Sequence, residues 1–377
     1  MKSIRQSNFE LLRVIAMFFI VFYHVIYHGK IIENCTNEGL RLIFTLLEYI
    51  MIIHVNLFIL LTGYFQSKCK FKQSKVWSII NSSLFYKALI MVIFAFLGYL
   101  SLSKLDILKE LFILNLNEYW FIKYYVFLYC LSPFLNKLID SMSRVQYQKF
   151  LIVSFIIFSI LPYITGLEAF SNDGYSLYNF IFLYFIGAYL RNYPIEENYI
   201  FKRCSKSLLR IILLFIFISC PIMNYLITTT SISLLNINSI IDEIAHNFIS
   251  LNIAYSNPFI IIQAISFFLL FSTINIKSRF INNVSKLTIG IYLIHDNNLV
   301  REKLYTVTNI NTGPINSYLF IIYALVIAIA IFVICAIIEK FRQAIFKFIY
   351  DRRVSIKIRE KYYSFLRSIS IKKVDET

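Results

Sequence analysis

Apolar stretches of about twenty residues recur along nearly the whole chain, and a helix of that length is what crosses a hydrocarbon core of about 30 Å. Ten stand out, near residues 9–28, 40–65, 77–100, 119–139, 150–167, 175–190, 208–227, 257–274, 284–300 and 315–339. Composition agrees: 58% of the 377 residues are hydrophobic, 18% aromatic and only 15% charged, with a mean hydropathy of +0.67. Soluble domains carry roughly a quarter charged residues. The expected fold is all-α, a polytopic membrane bundle of about ten transmembrane helices.

Charge placement predicts the orientation. With the N-terminus in the cytoplasm, the cytoplasmic segments hold 29 Lys and Arg and the outer ones six: Lys30, Arg41, Lys104, Lys109, Arg301 and Lys303. Only Lys87 and Lys123 remain within spans. This asymmetry obeys the positive-inside rule, and an error of one span would scramble it. Both termini are therefore expected in the cytoplasm, with a first helix that is retained because no small-residue cleavage site follows it. The net charge of +16 reports this topology and argues against a nucleic-acid partner. Residues 1–340 read as one membrane domain and 341–377 as a basic amphipathic cytoplasmic tail. The tail mixes Phe341, Ile345, Phe348, Ile349 and Phe365 with Lys and Arg, as a segment lying on anionic membrane lipid would.

The six cysteines are scattered and show no disulfide framework or metal-ligand spacing. Two outer connections are long, Ser101 to Glu118 and Thr228 to Ser256. The second includes Ile240 to Phe248, a candidate amphipathic helix on the outer membrane surface. It also holds Glu243 and His246 one turn apart, which would serve an outward-facing metallohydrolase only if a third ligand joined them.

Ionisable residues within spans are expensive, roughly 2.5 to 3.5 kcal/mol for Arg at a helix centre, so each calls for a reason. Arg13 and His24 lie eleven residues apart in the first span, about three helical turns, so both point along one face about 16 Å apart. An elongated ligand could touch both. Glu10 precedes Arg13 by one turn and can orient its guanidinium toward a phosphate. Glu48, in the outer half of the second span, is the carboxylate expected to orient or charge His24. His295 and Asp296 lie midway along the ninth span, where small Thr288 and Gly290 allow close helix contact, which would let His295 approach His24. Blander roles stay open. Arg13 suits a snorkelling anchor, and His24, Glu48 and His295 suit packing hydrogen bonds inside the bundle.

At these residues the chain resembles the integral-membrane acyltransferase family three, the bacterial O-acyltransferases of surface polysaccharides. Glu10-Leu11-Leu12-Arg13 through Tyr23-His24 fits the family's Arg-x10-His first helix, with Glu where Asp is commoner. Val55 to Phe65 follows, with Thr62-Gly63 in place of the usual Ser-Gly. Further matches are Tyr119-Trp120-Phe121-Ile122, Leu131-Ser132-Pro133-Phe134-Leu135-Asn136, and Ser256-Asn257-Pro258-Phe259 leading into Gly290 to Asn297. The likeness extends over residues 5 to 340. It implies a multi-pass protein of the bacterial inner membrane that uses acyl-CoA, as acetyl-CoA, for a donor and a lipid-linked or exported glycan as acceptor. No permanently bound cofactor or metal is implied.

By that resemblance His24 is the catalytic histidine and Arg13 a contact to donor phosphate. Where many members have Arg-x-Arg after the second helix, this chain has Lys68-x-Lys70 and Lys70-x-Lys72. Lysine neutralises phosphate as a point charge without arginine's planar fork. The donor's phosphates are expected near Arg13, Lys68, Lys70 and Lys72, with its thiol arm running toward His24. Neutral His24 would take the acceptor hydroxyl's proton, assisted by Glu48, His295 and Asp296. An acyl-histidine intermediate is the alternative. Tyr119, Trp120 and Lys123, at the outer end of the fourth span, are expected to meet the sugar, although an interfacial aromatic belt explains the two rings equally. A glycan polymerase or flippase would share the composition but need no CoA site. The acceptor sugar, the acyl group and the oligomeric state stay open.

Overall fold

The computed structural model describes residues 6–99, 119–166, 172–197, 204–310 and 313–351, and among them every regular element is a helix. Six helical segments are long and apolar enough to cross a membrane: Ser7–His28, Glu38–Gln66, Gln73–Phe96, Arg144–Thr165, Lys206–Ser233 and Leu319–Phe348. The other four expected spans form shorter, more polar or interrupted helices. In chain order the helices are α1 (Ser7–His28), α2 (Ile31–Asn34), α3 (Glu38–Met51), α4 (His54–Gln66), α5 (Gln73–Phe96), α6 (Trp120–Ser141), α7 (Arg144–Phe155) and α8 (Leu161–Thr165). They continue as α9 (Leu177–Asn192), α10 (Lys206–Ser233), α11 (Ser239–Ser250), α12 (Pro258–Ser272), α13 (Arg279–Val284), α14 (Thr288–His295), α15 (Asn298–Val307) and α16 (Leu319–Asp351).

Helix α1 occupies the centre and packs on α3, α4, α12, α13, α14 and α16. Its Leu12, Ala16, Val21, Val25 and Ile26 are fully buried, whereas Phe96, Phe215, Leu319 and Val326 stand exposed on other helices, as lipid-facing positions would. Small residues set the closest crossings. A side chain at Gly63 of α4 would strike the Tyr184 carbonyl of α9, and one at Gly187 of α9 would strike the Leu60 carbonyl of α4. Gly290 of α14 lies against the Glu339 carboxylate of α16 in the same way. Glu339 is itself buried, held bidentately by Arg342 at 2.7 Å and by the Tyr86 hydroxyl at 2.5 Å, so the charge pressed against Gly290 is paired.

Two breaks shape the interior. The second apolar stretch divides at Ile52–Ile53 into α3 and α4, and His54 spans the division by donating from Nδ1 to the Met51 carbonyl at 2.8 Å. The ninth stretch divides at Asp296–Asn297, between α14 and α15. There Asn297 caps α15 by accepting from the Leu299 amide at 3.1 Å. Its side-chain amide donates to the Tyr119 hydroxyl at 3.0 Å, and Tyr119 donates onward to the Leu293 carbonyl at 2.9 Å. The Ser132-Pro133 pair has a similar local logic: Pro133 has no amide for the Tyr129 carbonyl, and the Ser132 hydroxyl bonds that carbonyl at 2.7 Å.

The outer amphipathic helix expected from Ile240 to Phe248 is α11, capped by Asn238 and packed through Phe248 on Tyr163, ring centres 4.8 Å apart. Glu243 and His246 are exposed on it. Among the described residues no third metal ligand joins them. Helix α16 runs without a break through 340 to Asp351. The rest of the expected tail, including Phe365, lies outside the described residues, as does the connection from Ser101 to Glu118 with Lys104 and Lys109.

Candidate functional site

Two chambers in the bundle share a wall. The larger, about 800 Å³, opens among the starts of α1 and α5 and the end of α4, and its cations are Arg13, Lys68, Lys72, Lys75, Arg191 and Lys286. The smaller, about 190 Å³, contains His24, His28, His54, Trp120, Asp296 and Arg301. Ile20, Phe121 and Tyr292 line both. Arg13 and His24 thus point along one face of α1 as the helical period requires, each into a different chamber.

At the basic end, the Arg13 guanidinium bonds Glu10 at 2.5 Å, the one-turn pair that the spacing predicts. Arg191 donates to the Tyr64 hydroxyl at 3.1 Å and lies over that ring. Lys75 lies 4.5 Å over the Tyr129 ring, and Lys286 bonds Asn283. Six cations facing one carboxylate, Glu10, make a strongly anion-attracting chamber. Of the expected lysines, Lys68 and Lys72 line it and Lys70, exposed, does not. Lys75, Arg191 and Lys286 are additions. Lys75 was legible as one turn beyond Lys72, whereas Arg191 and Lys286 come from distant segments.

At the other end, His24 Nδ1 lies 3.2 Å from His295 Nε2 and 3.5 Å from an Asp296 carboxylate oxygen. His295 Nδ1 is 2.7 Å from the Ile291 carbonyl. A carbonyl only accepts, so this ring nitrogen carries the proton, and in the neutral ring Nε2 is left as an acceptor. His24 therefore donates from Nδ1, and its own Nε2 keeps the lone pair. Asp296 is also bonded by Arg301 at 3.1 Å, and Arg301 by Asn298 at 2.7 Å. The His24 side chain is 14% exposed, half-buried and reached by the chamber.

Glu48 is buried on α3 and makes no ion pair with His24. The carboxylate beside His24 is Asp296, because the break after His295 turns it inward. Tyr119 is completely buried and braces that break, so its ring offers no platform for a sugar. Trp120 does line the His24 chamber, in a wall with Tyr175 and Tyr255 whose ring centres lie 4.4 and 5.7 Å away. Lys123 lies 5.0 Å over the Tyr124 ring and lines neither chamber.

His28, His54 and Arg301 were not singled out from the sequence. His28 follows His24 by one turn and was legible on that ground; their rings are 5.1 Å apart. His54 accepts at Nε2 from the Tyr255 hydroxyl at 3.2 Å, which fixes it as chamber wall. Ligand atoms of His24, His28 and Asp296 lie within 4.8 Å of one another, a donor set suited to zinc once drawn together.

A bundle helical throughout its described residues, with six helices long and apolar enough to cross a membrane and an ionisable cluster in its interior, is that of a multi-pass membrane protein. The acyltransferase domain of family 3 matches residues 6–340, and the chain belongs to that family: it is a membrane acyltransferase. The comparisons found no curated protein and no solved structure that matches.

Proposed function

We propose that this protein transfers an acetyl or similar short acyl group from cytoplasmic acyl-CoA to a hydroxyl of a cell-surface or exported polysaccharide at the bacterial inner membrane. The basic chamber takes the phosphates of the donor, and the chamber around His24 takes the sugar. One observation carries this reading: a chamber of six cations and a chamber holding a histidine base touch at Ile20, Phe121 and Tyr292. Charge at one end and a thioester at the other is the shape of an acyl-CoA. A polymerase or flippase has no use for that pairing.

In the proposed reaction His24 Nε2 takes the acceptor proton as the oxygen attacks the thioester carbonyl, and His24 returns the proton to the departing CoA thiolate. His295 holds His24 in the reactive tautomer, and Asp296 stabilises the imidazolium in between. Positive charge at Arg13, Lys68 and Lys72 suits a cytoplasmic chamber under the positive-inside rule, with both termini on that side. The test is release of free CoA from acetyl-CoA by purified protein with glycan, beside the His24→Ala variant. Acceptor-dependent release abolished by the substitution supports the reading, and equal release by both overturns it.

A further inference from the structure

Three side chains line both chambers, and two of them, Ile20 and Phe121, offer no hydrogen bond. The third is Tyr292, only 5% exposed, whose hydroxyl is buried without a hydrogen-bond partner in the protein. Its polar neighbour is Asp296, which acts on it electrostatically and as a side-chain hydrogen-bond acceptor at longer range than a formed bond. A buried hydroxyl left unpaired is unfavourable, and such groups persist where something else needs them. The ring is fixed in place, with Tyr119, Phe121 and His295 centres 5.9, 6.0 and 6.2 Å away. It also sits one turn before His295 on α14, so tautomer control and this hydroxyl share one short rigid helix.

We propose that the Tyr292 hydroxyl donates a hydrogen bond to the oxyanion that forms from the donor's thioester carbonyl oxygen, a bond made only as that charge develops. This rests on the transferase reading and completes its chemistry. His24 removes the acceptor proton, the acceptor oxygen bonds the carbonyl carbon, and the carbonyl oxygen becomes an anion that only Tyr292, among the residues lining both chambers, can meet. The tetrahedral adduct then re-forms its C=O bond and breaks its C–S bond, and the CoA thiolate takes the proton from His24. The products are an O-acyl ester and free CoA, with no further reactant.

The test is Tyr292→Phe, which deletes one oxygen and keeps the ring. Steady-state transfer from acetyl-CoA to glycan should lose about 10²- to 10³-fold in kcat, the range for removal of one oxyanion donor, while donor KM stays within about twofold, as for an interaction made only in the transition state. Thermal melting should change little, because the deleted hydroxyl makes no fully formed hydrogen bond. A purely structural tyrosine gives the reverse: a lower melting temperature and an unchanged kcat per folded molecule, which overturns the proposal. Full kcat in Tyr292→Phe beside an inactive His24→Ala removes the oxyanion role and leaves the transferase standing. Absence of transfer by the wild-type protein removes both.

Discussion

His24 and His295 are 271 residues apart in the chain, yet their rings share a 3.2 Å contact between Nδ1 and Nε2. The direction of that contact follows from the Ile291 carbonyl behind His295, so a backbone atom two steps away decides which nitrogen of His24 is basic. His295→Ala is expected to lower kcat by about 10²- to 10⁴-fold, the span associated with loss of a positioned base or its correct tautomer. Donor KM should change little. Kinetics on detergent-purified protein check this, and an unchanged kcat would reduce His295 to a packing residue.

Arg13→Ala should raise donor KM about tenfold, the equivalent of one charge-assisted hydrogen bond of about 1.5 kcal/mol. Lys70→Ala should not, since Lys70 is exposed and lies outside the basic chamber. Measured side by side, equal effects of the two would mean that the donor's charge is read outside that chamber.

Trp120 and Tyr119 are neighbours with different fates. Trp120→Ala should raise acceptor KM roughly three- to tenfold, as loss of about 1 kcal/mol of ring contact implies, leaving donor KM alone. Tyr119→Phe removes the bond to Leu293 and the partner of Asn297, so its effect should fall on kcat and on melting temperature. A shift in acceptor KM from Tyr119→Phe alone would restore that ring to the sugar site.

Gly63→Leu places a side chain into the Tyr184 backbone and should destabilise the fold by at least the ~1–3 kcal/mol of an overpacked core. A melting curve in detergent reads this directly. The same substitution at Gly98, which has nothing within 4 Å of its would-be side chain, crowds no neighbour, but its φ of +77° carries a backbone penalty. Gly98→Asn tolerates that conformation better and is the milder control.

Metal addition and removal should have opposite results. The proposed chemistry uses no ion, so EDTA should leave transfer intact. Zn²⁺ gathered by His24, His28 and Asp296 would occupy the catalytic ring, so micromolar zinc should inhibit and EDTA should reverse it. Activity lost to EDTA alone would call for a different mechanism.

Hydropathy and charge made the helical membrane bundle legible, because twenty-residue apolar runs and Lys/Arg asymmetry are averages that local irregularities do not disturb. The same averaging hid the breaks at Ile52–Ile53 and Asp296–Asn297, each only two residues long. Contacts set by helical period were readable: Glu10 with Arg13, and both Arg13 and His24 on one face. Across the fold, the small residues Thr288 and Gly290 made an approach of His295 to His24 readable, and the two rings do meet, but the carboxylate and cation beside them were not readable. Glu48 sits at a suitable depth for His24, but depth does not fix azimuth, and an unwound turn brought Asp296 there instead. Arg301 was legible only as an outer cation, and its bond to Asp296 depends on the same turn.

The shared wall of Ile20, Phe121 and Tyr292 bears on the energetics of a cell. A site supplied from both faces of a bilayer risks becoming a leak through which protons and salt drain the gradient that the membrane maintains. Two hydrocarbon side chains and the Tyr292 ring stand at the junction, so in the proposed reaction an acyl unit would be handed over while the insulation holds.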